Sequence, residues 1–346
     1  GTPIPIWICE ECTHKVCIGS LQALQDRGGE PKNAHGELDL HRPYIDDVIF
    51  DCEKCSGKMH RVPDVMDVWF DSGAMPYAQW HYPFENKELI DSGEAFPADY
   101  ISEAIDQTRG WFYTLLAVST MLGKGPAYKN VICLGHIRDK HGKKMSKSKG
   151  NVIAPKDVID RYGADALRLF LYTLNAPGDY KNFDMNAVDQ IFKKNFLILW
   201  NVYTFYATFA DDLLRSSTLS RHVMDRWVLS QFELLKKEVT ERLNRYDIFM
   251  AGRALQDFIQ ELSTWYVRRS RDRFKSEDAG VKTEALNTLH TVLLELSQLM
   301  APFTPFFAEE LFFKVKDKGD ITESVHLCDW PVYNEERVES DIVSSM

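Results

Sequence analysis

Apolar residues in the last part of the chain recur at spacings of three and four, which is the repeat of a helix with one buried face. On this basis we predict helices over residues 225–244, 249–275 and 283–300. Beyond about Asn186 no segment alternates apolar and polar residues as a half-buried strand does. Residues 186–346 are therefore predicted to form an all-α helical bundle.

The preceding region alternates short apolar runs with polar turns. The pattern predicts a buried strand that enters a turn at 71–73, a short strand at 96–101, an apolar helix that ends near Leu122, and a further buried strand at 131–137. A strand, a helix, a strand and then a loop is the layout of half a Rossmann-type nucleotide fold. The predicted fold class is α/β, with this half-fold followed by the helical bundle.

Composition and charge narrow the class of protein. The chain has 346 residues, 45% hydrophobic and 12% aromatic, which is enough for sizeable cores. A formal net charge of -10 excludes broad, charge-driven coating of nucleic acid but permits local basic patches. No apolar run approaches the roughly 20 residues that span a bilayer, and the first residues lack the pattern of a signal peptide. We expect a cytoplasmic protein that does not enter a membrane.

Four of the seven cysteines form two Cys-x-x-Cys pairs, Cys9 with Cys12 and Cys52 with Cys55. Two such pairs can bring four thiolates into the tetrahedron that Zn²⁺ prefers, so they predict a structural zinc site. Reduced thiols without a metal are the alternative, because the interval between the pairs is longer than in simple zinc ribbons.

Residues 142–151 read Gly-Lys-Lys-Met-Ser-Lys-Ser-Lys-Gly-Asn. The glycines allow this segment to bend, and its four lysines and two hydroxyls can surround one anion. The pattern indicates a phosphate site. A solvated basic loop is the plainer interpretation, since most lysine runs are of that kind.

Glu103, Asp106 and Gln107 follow the strand predicted at 96–101. If they form a helical turn, their spacing places them on one face, near the carboxyl end of a strand where open α/β sheets bind ligands. The alternative is an ordinary first helical turn, whose acids interact favourably with the helix dipole.

These segments resemble the class I aminoacyl-tRNA synthetases. Residues 144–148, Lys-Met-Ser-Lys-Ser, match the signature loop of that class without a substitution. Residues 67–73 resemble the isoleucyl-tRNA synthetases in particular, and residues 103–111 match their Glu-Gly-x-Asp-Gln-x-Arg-Gly-Trp pattern except at Ala104. The helical region resembles their anticodon-binding domain at 263–274 and 301–306.

The resemblance implies activation of isoleucine by ATP with Mg²⁺, followed by transfer to tRNA(Ile). It implies catalytic roles for Lys144 and Lys147, with Lys147 on the ATP phosphates. The implied further contacts with ATP are Met145, Ser146 and Ser148. The implied contacts with the amino acid and its adenylate are Glu103, Asp106, Gln107, Trp69, Trp111 and His136. The implied contacts with tRNA are Arg268, Arg269 and Arg271.

Four arginines within residues 268–273 cannot all lie on one helix face, so we expect some of them to be structural and paired with acids.

Two features of the family are not found in this sequence: the His-x-Gly-His signature and the editing insertion. We therefore expect a fragment that is inactive by itself, and we expect it to be monomeric. Its predicted parts are a zinc-bearing connective module (1–62), the second half of the Rossmann-type catalytic domain (63–141), the signature loop and linker (142–185) and the anticodon-binding domain (186–346). The nearest rival is a valyl-tRNA synthetase, disfavoured by residues 71–73. A rival of another class is a non-catalytic tRNA-binding zinc protein.

Overall fold

The computed structural model describes residues 1–210, 220–317 and 319–345. The chain divides into two compact units, Gly1–Ile132 and Cys133–Met346. The fold is mixed α/β with many helices. Among the described residues, every helix is too short or too polar to cross a bilayer.

A small antiparallel sheet opens the first unit, with the strand order β2-β1-β4-β3. Its strands are β1 (Ile6–Cys9), β2 (Lys15–Cys17), β3 (Phe50–Asp51) and β4 (Lys58–Arg61), and the short helix α1 (Leu21–Gln25) follows β2. Trp7 and Met59 are fully buried at its centre. The Trp7 indole N–H donates to the carbonyl oxygen of Val48 at 2.9 Å, which ties the loop before β3 to the sheet.

The strand predicted before residues 71–73 is wrong, because this segment enters the helix α2 (Val68–Ala78). The Asp67 carboxylate accepts the backbone N–H of Trp69 at 2.8 Å and so caps the helix. The residues predicted as a turn lie inside α2. The segment is not buried either, since Val65 is 42% exposed and Val68 67%.

The remainder of the first unit consists of α3 (Lys87–Asp91), β5 (Ile101–Ala104), a 3-10 helix (Ile105–Arg109) and α4 (Trp111–Met121). The strand predicted at 96–101 begins only at its last residue. The predicted apolar helix is confirmed as α4. It packs along α2, where the Tyr77 and Ser119 hydroxyls lie 2.7 Å apart.

The single buried strand predicted at 131–137 is also wrong. The structure has two strands, β6 (Val131–Leu134), within which the boundary between the units falls, and β7 (Ile137–Asp139). The chain bends between them, where the Gly135 N–H donates to the Pro177 carbonyl oxygen at 2.8 Å. β7 then pairs in parallel with β8 (Lys181–Phe183), a three-residue strand that the sequence pattern does not reveal.

The rest of the second unit is helical, and no strand follows Phe183 in the described ranges. Its helices are α5 (Pro155–Tyr162), α6 (Ala164–Thr173), α7 (Met185–Ile191), α8 (Ile198–Phe209), α9 (Val223–Asn244), α10 (Ile248–Glu261), α11 (Arg268–Phe274), α12 (Ala279–Met300), α13 (Pro305–Val315) and α14 (Ser340–Ser345). The three predicted helices are confirmed by α9, by α10 with α11, and by α12. Two π-helical turns, Phe192–Leu197 and Leu262–Val267, join α7 to α8 and α10 to α11.

Candidate active site and metal centre

Both Cys-x-x-Cys pairs lie at hairpin turns of the small sheet. Cys9 ends β1, and Cys12 lies in the turn that leads to β2. Cys52 follows β3, and Cys55 lies in the turn that leads to β4. Because β1 pairs with β4, with Cys9 opposite Met59, the two turns meet at the same end of the sheet. The structure therefore brings the four predicted ligands together.

The four sulfurs all lie within 4.8 Å of one another. Cys9 Sγ is 3.4 Å from Cys55 Sγ, and Cys12 Sγ is 3.6 Å from Cys52 Sγ. Tetrahedral zinc with Zn–S bonds of about 2.3 Å holds its sulfurs about 3.8 Å apart. The spacing of the donor set thus fits a single four-coordinate cation.

Backbone N–H groups surround the sulfurs. The N–H groups of Cys12, Lys54 and Gly57 donate to the sulfurs of Cys9, Cys52 and Cys55 at 3.5, 3.4 and 3.4 Å. A Cβ on Gly57 would lie 2.9 Å from the Cys9 sulfur, so this turn requires glycine to approach the cluster. Donors of this kind stabilise thiolates, which are the form that binds metal.

The thiols of the cluster have unequal acidity. The N–H of Cys12 is the main cause that lowers the pKa of Cys9 to about 7. The Gly57 N–H lowers the pKa of Cys55, but the neighbouring sulfurs, Cys12 first, raise it to about 12. Four adjacent thiols therefore do not all ionise at neutral pH without a cation, and a divalent cation would remove the repulsion between them.

Trp69, Gln107 and Trp111 meet around Gly110 in the first unit. The Gln107 side-chain oxygen accepts the Trp111 backbone N–H at 2.9 Å, and the Trp111 indole N–H donates to the Ser72 carbonyl oxygen at 3.2 Å. A Cβ on Gly110 would lie 2.6 Å from that Gln107 oxygen and 3.0 Å from the Trp69 ring. The absence of a side chain at Gly110 lets the two indoles and the amide form one cluster, with Trp69 still 43% exposed.

Glu103 does not share a helical turn with Asp106 and Gln107, so that prediction is wrong. Glu103 belongs to β5, and the other two belong to the 3-10 helix that follows. Gln107 Nε2 donates to Asp106 Oδ2 at 3.2 Å. The carboxylates of Glu103 and Asp106 are both exposed. Asp106 lies in the first turn of the 3-10 helix, as the helix-dipole alternative expects, whereas α4 has no acid in its first turn. Ala104 has extended backbone (φ -70, ψ 158) that any residue adopts, so its conformation does not require glycine.

The lysine-rich loop of the second unit is folded by Asp139 and Asn151. Asp139 Oδ1 accepts the backbone N–H groups of His141 and Lys143, both at 2.9 Å. Asn151 Nδ2 donates to Asp139 Oδ2 at 2.8 Å. These hydrogen bonds, the one from Asn151 foremost, hold the pKa of Asp139 below its ordinary value.

Asn151 also contacts the backbone of the loop. Its Nδ2 donates to the Lys144 carbonyl oxygen at 3.2 Å, and its Oδ1 accepts the Ser146 N–H at 2.9 Å. We call this pair, Asp139 with Asn151, the loop clasp. The sequence pattern alone assigns a role to neither residue, although an aspartate three residues before Gly142 is a turn signal.

The clasp leaves the cations of the loop free. Lys143, Lys144, Lys147 and Lys149 are exposed, and none of them forms an ion pair in the described part of the chain. The Ser146 and Ser148 hydroxyls lie 3.3 Å apart. Met145 packs instead against the core of this unit, which anchors the loop.

His136 is exposed in the second unit, and its ring stacks on Tyr180 with centroids 6.4 Å apart. The Arg138 guanidinium carbon lies 3.4 Å from the centroid of the same tyrosine ring. The other predicted adenylate contacts, Trp69, Glu103, Asp106, Gln107 and Trp111, belong to the first unit.

The arginine cluster divides into structural and exposed members, as expected. Arg273 donates two hydrogen bonds, both 2.6 Å, to the fully buried carboxylate of Asp225, which also accepts the Tyr266 hydroxyl at 2.8 Å. Arg268, Arg269 and Arg271 are exposed and have no ion-pair partner among the described residues.

Family comparisons agree with these features. A family model described as "tRNA synthetases class I (I, L, M and V)" matches residues 1–184, more than half of the chain. The chain belongs to this family. A second model, "Anticodon-binding domain of tRNA ligase", matches residues 225–346 of this class I synthetase chain.

Curated relatives of this class I chain are isoleucine–tRNA ligases. Those from Dehalococcoides mccartyi, Deinococcus radiodurans and Thermus thermophilus are 48%, 48% and 46% identical over 100% of the chain. The match covers 36%, 32% and 34% of these relatives, so the chain spans about a third of their length. The resemblance to the isoleucyl enzymes is confirmed by this identity.

Two solved structures share the class I fold. The LeuRS–tRNA–LeuAMS ternary complex from Agrobacterium radiobacter aligns with a TM-score of 0.70 and 22% identity, over 97% of this chain and 41% of that chain. The Mycobacterium tuberculosis methionyl-tRNA synthetase in complex with methionyl-adenylate aligns with a TM-score of 0.58 and 21% identity, over 72% of this chain and 51% of that chain.

Proposed function

We propose that this chain acts as part of an isoleucine–tRNA ligase, which activates isoleucine with ATP and Mg²⁺ and transfers it to tRNA(Ile). The observation that carries the proposal is the clasped signature loop, which presents exposed lysines without carboxylate partners in the described residues. Such a loop suits the phosphates of ATP, which arrive with Mg²⁺. The identity to isoleucine–tRNA ligases supports the choice of amino acid.

The activation step needs charge stabilisation more than acid–base chemistry. A carboxylate oxygen of isoleucine attacks the α-phosphorus of ATP, and the bond from that phosphorus to the pyrophosphate oxygen breaks. We assign Lys147, with Lys144 beside it, to neutralise the charge that develops on the departing pyrophosphate. We assign Met145, Ser146 and Ser148 as further contacts with the nucleotide. In the second step a terminal ribose hydroxyl of tRNA attacks the adenylate carbonyl carbon, AMP leaves, and the hydroxyl proton passes to solvent.

The first unit supplies the groups that suit the amino acid and the adenylate. The α-ammonium group and the ribose hydroxyls need acceptors, and we assign these to Glu103 and Asp106. The exposed indole of Trp69 and the neighbouring Trp111 offer apolar surface for a branched alkyl group. Gln107 positions Trp111 through its 2.9 Å hydrogen bond. We assign His136 to the adenylate as well.

We further propose that Cys9, Cys12, Cys52 and Cys55 hold one structural Zn²⁺. The sulfur spacing and the backbone donors support this assignment. Bound zinc would link the two hairpin turns and leave no open position for catalysis. In the same proposal residues 1–62 form the zinc module, residues 63–141 the second half of the Rossmann-type domain, 142–185 the loop and linker, and 186–346 the tRNA-binding bundle.

The loop assignment is tested with two matched lysine variants in the protein produced at the length of its curated relatives. One ammonium on a developing phosphate charge contributes about 2.7 to 4 kcal/mol, so Lys147→Ala should lower isoleucine-dependent ATP–pyrophosphate exchange roughly 10²- to 10³-fold. The isoleucine KM should change little, and Lys143→Ala should lower the rate far less. Equal losses for both variants would mean that the loop acts only as a diffuse basic patch.

A further inference from the structure

Arg269 is stacked on an aromatic ring. Its guanidinium carbon lies 3.7 Å from the centroid of the Trp265 ring, which is the distance of a face contact. The two residues stand four apart, so they are neighbours on the helix surface. Arg269 is nevertheless exposed, which leaves one side of its guanidinium open to solvent.

The tryptophan beneath the guanidinium is itself restrained. Trp265 lies in the π-helical turn Leu262–Val267, and its ring is 6.3 Å from that of Trp227, which is 5% exposed. One helical turn further along, the bonds from Arg273 to Asp225 fix the rotation of α11 about its axis. Packed residues one helical turn before and one helical turn after Arg269 therefore fix the orientation of its side chain.

Arg268 and Arg271 have a different environment. Both are exposed, and Arg268 has no aromatic ring against it in the described ranges, while Arg271 lies 5.7 Å from the Phe205 centroid. A free guanidinium on a flexible stem suits a phosphate, whereas a guanidinium held flat against an indole suits a second planar group. The three arginines thus differ in what they can recognise.

We propose that Arg269 receives an unpaired base of the tRNA anticodon loop on its open side, forming a Trp265–Arg269–base stack, while Arg268 and Arg271 contact phosphates. The inference rests on the proposed tRNA-binding function and goes further by dividing the cluster into one base-stacking residue and two backbone contacts. Single-stranded bases are recognised in RNA by stacking on aromatic rings and arginine planes. The match of residues 225–346 to an anticodon-binding domain favours the anticodon loop as the source of the base.

The test compares Arg269→Lys with Arg268→Lys, two neighbouring substitutions that keep the charge. Binding of a fluorescent tRNA(Ile) transcript is measured by anisotropy over a range of salt concentrations, with the protein at the length of its relatives. Lysine cannot stack as a plane, so Arg269→Lys should weaken binding about tenfold or more, while Arg268→Lys should weaken it less than about twofold. The slope of log K against log salt concentration should be the same in both lysine variants as in the unaltered protein. In Arg268→Ala, which loses a charge, the magnitude of that slope should fall by about one.

A second arm varies the RNA and compares the unaltered protein with Arg269→Lys. Transcripts with an abasic site at each anticodon-loop position in turn should include one that binds about tenfold more weakly, and Arg269→Lys should add little further loss with that transcript. If no abasic position costs more than about twofold, or if the two lysine variants behave alike, the stacking role is overturned. If the unaltered protein does not bind tRNA(Ile) at all, the proposed function itself fails.

Discussion

The loop clasp should control activity through the order of the signature loop. Asn151→Ala removes three hydrogen bonds, to Asp139, to the Lys144 carbonyl and from the Ser146 N–H, at 2.8, 3.2 and 2.9 Å. Partly exposed hydrogen bonds contribute about 0.5 to 1 kcal/mol each, so their loss costs the folded loop about 1.5 to 3 kcal/mol. Because that loop lies at the surface, the cost should appear as a smaller population of the competent loop rather than as global unfolding.

The expected result is a fall of about 10- to 150-fold in isoleucine-dependent ATP–pyrophosphate exchange, with a change in melting temperature of no more than a few degrees. Asn186→Ala is the matched control, since that asparagine is exposed and its side chain has no hydrogen bond in the described structure. A loss no larger than in the control would refute the reasoning. So would a loss explained entirely by a lower melting temperature.

The clasp also has a pH signature. The pKa of Asp139 is held below its ordinary value, chiefly by the Asn151 hydrogen bond. Because the pKa of Asp139 is lower in the folded loop than in the unfolded chain, the ionised carboxylate stabilises the loop at any pH above its ordinary pKa. This stabilisation is lost only when the pH falls through the lower pKa of the folded state. The effect of Asn151→Ala on the exchange rate should therefore be the same at every pH between about 6 and 9. A dependence on pH within that range would show that another group controls the loop.

Two further predictions concern the first unit. Protein purified without chelators should contain about one equivalent of zinc, and Cys55→Ser should lower both the zinc content and the melting temperature; less than about a tenth of an equivalent in the unaltered protein would count against the site. Glu103→Gln should weaken activation of isoleucine and valine alike, because in our proposal the Glu103 carboxylate accepts the ammonium group that both amino acids carry. Trp69→Ala should change the ratio of the kcat/KM values for isoleucine and valine, because one methylene is worth about 1 to 3 kcal/mol in an apolar pocket. A selective loss of isoleucine in Glu103→Gln would mean that this carboxylate shapes the side-chain pocket.

The helical region could be predicted from the sequence because long amphipathic repeats carry a strong signal. The segments of α9, α10 with α11, and α12 each show apolar spacings of three and four over many residues. Pairing of some of the four arginines with acids could be expected, because they cannot all lie on one helix face, but only the structure shows that Arg273 is paired.

The short elements were harder to predict. The start of α2 has the apolar pattern of a strand because Val65, Val68 and Phe70 are close together, although the capping aspartate at 67 is a helix-start signal. The sequence pattern does not separate β6 from β7, because the bend between them depends on Pro177, about forty residues away. Contacts of this kind are tertiary and leave no local pattern.

Within the site, sequence motifs identify the candidate residues but do not show which contacts hold them in place. The four cysteines could be paired by spacing, and the structure places their sulfurs within 4.8 Å. The role of Asn151 could not be predicted, because its partners are the side chain of Asp139 and two backbone groups of the loop. The stack of Arg269 on Trp265 needed the helix geometry as well as the motif.

We propose that this chain is part of an isoleucine-activating enzyme, and the dependence of ATP–pyrophosphate exchange on the amino acid supplied is the decisive test of that proposal. The protein, produced at the length of its curated relatives, is assayed with isoleucine, valine, leucine and methionine at matched concentrations. We predict the highest kcat/KM for isoleucine, with valine roughly 10- to 200-fold lower and the other two lower still. A higher kcat/KM for valine, leucine or methionine, or no exchange with any of the four, would contradict it.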